Sequence, residues 1–287
     1  MSASVKSLVT TLTSRGPHRV LRGNLAVAGL PGVVFTPESG TNLPAVAFGH
    51  AWLTKAGNYR ELLQHLASWG IVAAAPDTER GPIPSHLGLG TDLLTTLDIC
   101  TGVRLGNGSI SVHPEKLALA GHGMGAGAAA IAAAQRRVAA YVALFPAPTA
   151  PAAEELAPDL DIPAFVLGGE VDAKSVSSDT LPLAKAWGGP LVLRTLEGAS
   201  HNGLIEGRRS LATFGIGKFE AKNARATRAL LTGYLLHTLL GDKTYAAFAD
   251  PEAEIPRTTA VDPHAPVEPE AGRGKIGLRQ ISQLVRR

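Results

Sequence analysis

The chain has 287 residues, with 27 Lys plus Arg against 24 Asp plus Glu, a formal net charge of +3. So small an excess does not argue for a nucleic-acid partner, and none is expected. Hydrophobic residues make up 45% of the sequence, which is ample for one extensive core in one large α/β domain or two small ones.

From Met1 onward there is no sustained apolar h-region of the kind a secretory signal needs, and nowhere do about 18 uncharged apolar residues run together. The expectation is a soluble, cytoplasmic protein. From His18, short β-rich runs alternate with longer helical ones: strands at 19–25, 32–36 and 45–49, a helix at 58–69 and a strand at 71–75. A helix follows at 89–103. It contains the one cysteine, Cys100, whose apolar surroundings read as those of a buried, inert thiol, and a single cysteine excludes an internal disulfide. Next come a strand at 117–120, an Ala-rich helix at 126–137, a strand at 140–144 and a Pro/Ala-rich connection over 146–158. A strand at 164–167, a helix at 181–187, a strand at 191–196 and a closing helix at 224–240 complete the series. Early hairpin-like strands followed by βα units predict an α/β fold with a mostly parallel central sheet and helices on both faces.

After Ala249 the composition turns to proline and acid, which predicts one domain over 1–250 and an extended tail over 251–287. The last stretch, 273–287, carries five cationic residues and no acid, with Leu278, Ile281 and Val285 at helical spacing. A solvated tail is the preferred reading there, over weak contact with a membrane or protein.

Between the strand 117–120 and the Ala-rich helix lies Gly121-His122-Gly123-Met124-Gly125. This is a nucleophile-elbow pattern, G-x-S-x-G, with glycine in the serine's place. Gly123 has no Oγ to attack a substrate. Two later residues complete a catalytic order of nucleophile, acid and histidine: Asp172, after the strand phrase ending at 167, and His201, after the strand 191–196. Each sits past the carboxyl end of a strand, where open α/β sheets place ligand sites.

The order of these motifs resembles the bacterial cutinase and polyester-hydrolase group of α/β-hydrolases, with dienelactone hydrolases and chlorophyllases as more distant relatives. The likeness covers roughly residues 20–250. It rests on Leu62-Leu63-Gln64-His65-Leu66-Ala67-Ser68-Trp69-Gly70 ahead of the strand running to Asp77, the elbow, Gly198-Ala199-Ser200-His201, and Gly241-Asp242-Lys243-Thr244-Tyr245. The resemblance implies an α/β-hydrolase fold and carboxylic-ester hydrolysis without a cofactor or metal. It makes position 123 the nucleophile, Asp172 the acid, His201 the base, and the backbone N–H groups of Met124 and Ala51 the oxyanion donors. The chain departs from that group at Gly123, at Ala51, where an aromatic residue is common, and in lacking its disulfides. Loss of the serine alone typically costs on the order of 10⁶ in turnover.

Around this set, His122 at the elbow's variable position reads as packing beneath the turn. His50 either lines the pocket or packs its loop, and Trp52 is expected to wall the cleft. Glu170 could replace Asp172 but reads as solvated. A zinc site of His50, His122, His201 and Asp172 lacks any ligand-spacing motif, and the elbow lacks the lysine of a phosphate loop. The expected function is therefore a pseudo-hydrolase binding an acyl or ester-like ligand or a protein. The alternatives are an enzyme using His201 with Asp172 as general base on water, and an esterase in which glycine was introduced for serine.

Overall fold

The computed structural model describes residues 4–170, 178–207 and 218–265. Among these, nine strands form one sheet: β1 (Val20–Asn24), β2 (Gly32–Pro37), β3 (Gly40–Gly49), β4 (Val72–Pro76), β5 (Ile110–His122), β6 (Ala140–Leu144), β7 (Ala164–Gly169), β8 (Leu191–Leu196) and β9 (Thr258–Ala260). Their spatial order is β1-β2-β4-β3-β5-β6-β7-β8-β9. Strands β4 through β8 pair in parallel, whereas β1–β2, β2–β4 and β8–β9 pair antiparallel. This is the mostly parallel α/β architecture predicted from the alternation of elements, and it is compatible with an α/β-hydrolase fold.

The central strands are buried on both faces, so they read as unbroken apolar runs: Ala45, Val46, Ala47 and Phe48 all have no exposed surface. Successive side chains serve opposite cores. Val46 and Phe48 join the core under α1 (Val5–Thr13), α2 (Arg60–Ser68) and α7 (Ala221–Leu240). Ala45 and Ala47 join the core under α3 (His86–Gly102), α4 (Met124–Gln135), α5 (Ala153–Leu156) and α6 (Thr180–Ala186). Helix α3 starts where Ser85 accepts the Gly88 N–H at 2.9 Å, a side-chain N-cap. Cys100 on α3 is fully buried, and burial pushes its thiol up to about 12, which leaves it inert as expected.

Four features depart from the expected elements. Helix α1 was not foreseen; it is capped by Ser4, buries Leu12 and packs on α7. Strands β3 and β5 begin well before the expected 45 and 117: β3 opens on largely exposed residues, whereas β5 opens on buried Ile110 and Val112 alternating with half-buried Ser111 and His113, ahead of exposed Pro114 and Glu115. The Pro/Ala-rich connection contains α5 and a 3-10 turn, Ala157–Asp159. Lastly, the fold continues past Asp250.

There, β9 adds to the edge of β8, and the fully buried Arg194 on β8 fastens the intervening segment. Its Nη2 donates to Asp250 O at 3.0 Å and Ala253 O at 2.7 Å, and its Nη1 to Thr258 Oγ1 at 3.2 Å. The expected boundary at 250 thus cuts through the structure: proline and acid marked an extended backbone, but that backbone supplies the acceptors a buried guanidinium requires. The basic stretch 273–287 lies outside the described residues. Among the described residues, no helix is long and apolar enough to cross a membrane.

Candidate active site

Strand β5 ends at His122 and α4 begins at Met124, with Gly123 between them at φ 57° and ψ −124°. L side chains rarely adopt that backbone, so the sharp turn of a nucleophile elbow is present in full. It is held from both sides: Gly123 N donates to Leu144 O at 3.1 Å, and Gly123 O accepts from Ala126 N at 3.1 Å and Ala147 N at 3.2 Å. The flanking glycines are steric requirements. A Cβ on Gly121 would lie 2.1 Å from Gly125 O, and one on Gly125 would lie 2.3 Å from Gly49 O. Strands β3 and β5 and helix α4 therefore meet backbone to backbone. Met124 opens the helix, so its N–H belongs to the first turn, which has no intrahelical acceptor.

A Cβ at position 123 would lie 3.2 Å from His201 Nε2 and 3.2 Å from Ala51 Cβ. Any side chain there would abut the imidazole. His201 opens a 3-10 turn, His201–Leu204, beyond β8, and its ring lies 5.2 Å from that of His122 and edge-on to Phe145 at 6.4 Å. Glu220 fixes this turn, accepting from Ser200 N at 3.2 Å, Ser200 Oγ at 2.6 Å and Asn223 Nδ2 at 2.7 Å. A Cβ at position 203 would fall 2.4 Å from Glu220 Oε2, so a side chain there would push the carboxylate out of these bonds. The expected acid, Asp172, lies outside the described residues. Glu170 is exposed, as its solvated reading required.

Beneath the elbow runs a chain of hydrogen bonds. Ala51 N–H donates to Tyr59 Oη at 3.1 Å, Tyr59 Oη meets His122 Nδ1 at 2.7 Å, and His122 Nε2 meets His201 O at 2.7 Å. A carbonyl can only accept, so Nε2 carries the proton facing His201, and the phenol donates to Nδ1. The N–H of Ala51, expected as an oxyanion donor, is bonded to Tyr59 Oη here, and an oxyanion would have to displace the phenol to use it. His122 has no exposed surface and braces the turn from below, as expected from its place in the elbow. His50 is likewise fully buried, with Nδ1 2.9 Å from Ala51 O and Nε2 2.7 Å from Thr78 O, so it packs its loop rather than lining the pocket. Trp52 is half exposed beside the elbow loop, with Nε1 donating to Pro82 O at 3.1 Å.

Tyr59, Asn58 and Glu206 were missed by the sequence reading. Asn58 Nδ2 donates to Glu206 O at 2.6 Å, and both Glu206 carboxylate oxygens accept the Glu61 N–H at 3.0 Å. Glu206 thereby caps α2 from the far side of the His201 turn, and burial pushes its carboxyl up to about 7. The position of Tyr59 at the start of an expected helix was visible, but nothing local tells that its hydroxyl reaches the elbow.

No family model matches the chain, and no curated protein matches it. The class rests on architecture and geometry: an α/β protein compatible with the α/β-hydrolase fold, with a complete elbow backbone and glycine at its apex.

Proposed function

We propose that this chain is a hydrolase-fold protein that recognises an acyl or ester-like ligand at the elbow without forming an acyl-enzyme. The observation supporting it is that position 123, in elbow geometry, faces His201 Nε2 across 3.2 Å from a Cβ that the sequence does not supply. In this reading His201 is the base, the elbow backbone is present, and the attacking oxygen is missing. The acid of this reading is Asp172 and the remaining oxyanion donor is Met124 N–H.

The test is hydrolysis of short and medium p-nitrophenyl esters by the native chain, Gly123→Ser, and Gly123→Ser with His201→Ala. We expect Gly123→Ser to exceed the native chain by roughly 10³-fold or more, with the gain lost in the double variant. The serine would also carry backbone strain of about 1–3 kcal/mol, read as a lower Tm. A folded but inactive Gly123→Ser would overturn the reading. The closeness of His201 Nε2 to position 123 also supports a second reading, His201 as general base on water, which turnover by the native chain that disappears in His201→Ala would favour.

A further inference from the structure

Behind the elbow loop, on the α2 face of the sheet, lies a cleft of about 420 Å³ bordered by Arg22 and Asn24 of β1 and by Lys55, Gly57 and Arg60 at the start of α2. Its floor is Val33 and Phe35 of β2. Arg22 and Asn24 alternate with Leu21 and Gly23, so both belong to the strand face whose β2 partners, Phe35 and Val33, enter the α2-side core. From the other bank, the Lys55 stem crosses Gly57, where a Cβ would lie 3.7 Å from Lys55 Cε.

Three cations thus surround one cleft, and none of them forms an ion pair or side-chain hydrogen bond with the described residues. The acid in the lining is Asp77, and it is already engaged. Its Oδ1 accepts the Ala56 N–H at 3.0 Å and its Oδ2 faces Arg80 at 3.5 Å. Asn24 uses Oδ1 to accept the Ala26 N–H at 3.0 Å, which leaves its amide N–H₂ as a further donor. With Asp77 shared with Arg80, the lining carries a net positive charge, and a multivalent oxyanion there can accept from several donors at once.

We infer that this cleft is a binding site for a phosphate group, free or as a monoester, held by Arg22, Lys55 and Arg60. The guanidinium forks supply paired donors and the lysine a point charge. The apolar floor suits the organic part of an ester. The site is separate from the elbow and independent of whether turnover occurs, though its Lys55–Arg60 bank contains Tyr59, which holds Ala51 N–H.

Titration calorimetry of the full chain at fixed ionic strength, with inorganic phosphate and with phenyl phosphate, tests the assignment. Saturable one-to-one binding is expected, weakened about tenfold by each of Arg22→Gln, Lys55→Gln and Arg60→Gln and unchanged by Arg137→Gln, which lies elsewhere. Tighter binding of phenyl phosphate would identify an organic monoester as the ligand, and equal binding the free ion; both support the site. Binding no stronger than that of chloride at matched ionic strength would overturn it, as would equal affinity in folded variants. Amide chemical shifts of the native chain give a reading that needs no variant. Phosphate must perturb Ala56 and Gly57 first, and perturbation centred on the elbow instead would sink the proposal.

Discussion

A single phenol hydroxyl joins two halves of the site that are 63 residues apart in the chain, since Tyr59 Oη meets His122 Nδ1 while accepting Ala51 N–H. Tyr59→Phe removes an acceptor from one buried group and a donor from another, and we expect it to cost about 1–3 kcal/mol, read as a lower urea midpoint at unchanged m-value. A loss below about 0.5 kcal/mol would show that these bonds contribute little to stability. Glycines give a sharper contrast. Gly121→Ala drives a Cβ to 2.1 Å from backbone and should abolish folding or cost several kcal/mol. Gly102→Ala, at the end of α3 with open space around it, should instead stabilise by about 0.4–1 kcal/mol. At this scale the sequence made Gly123 and His201 readable, because motif order carries them. It hid Tyr59 and Glu206, whose partners are chosen only when distant loops close.

Helices α5 and α6 are joined by two acids. Glu154 Oε2 and Asp179 Oδ2 are buried without a donor among the described residues, and burial, then the Glu154 charge and hydrogen bond, pushes Asp179 up to about 7. A proton retained on Asp179 would give the two carboxyls a donor between them. Asp179 titrates near 3.8 when unfolded, so the folded state holds the extra proton between about 4 and 7. Stability from this pair is fully present below that window and is lost as pH rises through about 7. His65 works in the opposite sense. Burial and then Arg228 pull it down to about 4 from 6.5, so its contribution is lost as pH falls through that interval. Comparing urea midpoints at pH 5 and pH 8 isolates the pair: Asp179→Asn should remove part of the alkaline loss, leaving a remainder from Glu206. An unchanged difference would mean that Asp179 is ionised throughout. The elements themselves were legible where burial on both faces makes unbroken apolar runs, as in β4, β6 and β7. They were obscured at the start of β3, where exposed residues carry no strand signature, and in β5, where Pro114 and Glu115 interrupt an alternating run that begins at Ile110.

Over the whole molecule, the parallel sheet was readable from the βα rhythm, while its far edge was not, because proline and acid disguise a docked segment as a tail. Ending the chain at 250 would leave β8 as an open edge and remove Ala253 O and Thr258 Oγ1 from a buried guanidinium. We expect that truncation to aggregate on size-exclusion chromatography and to lose about 3 kcal/mol or more relative to the full chain. Equal behaviour of the two would show that Arg194 does not depend on the segment. The same latch sets a schedule during synthesis. Thr258 follows Arg194 by 64 residues, which at about 5–20 residues per second is roughly 3–13 s of translation. For that interval the nascent sheet presents β8 with one open edge and a guanidinium that lacks the acceptors of the later segment, and a ribosome paused between those codons would prolong that exposure.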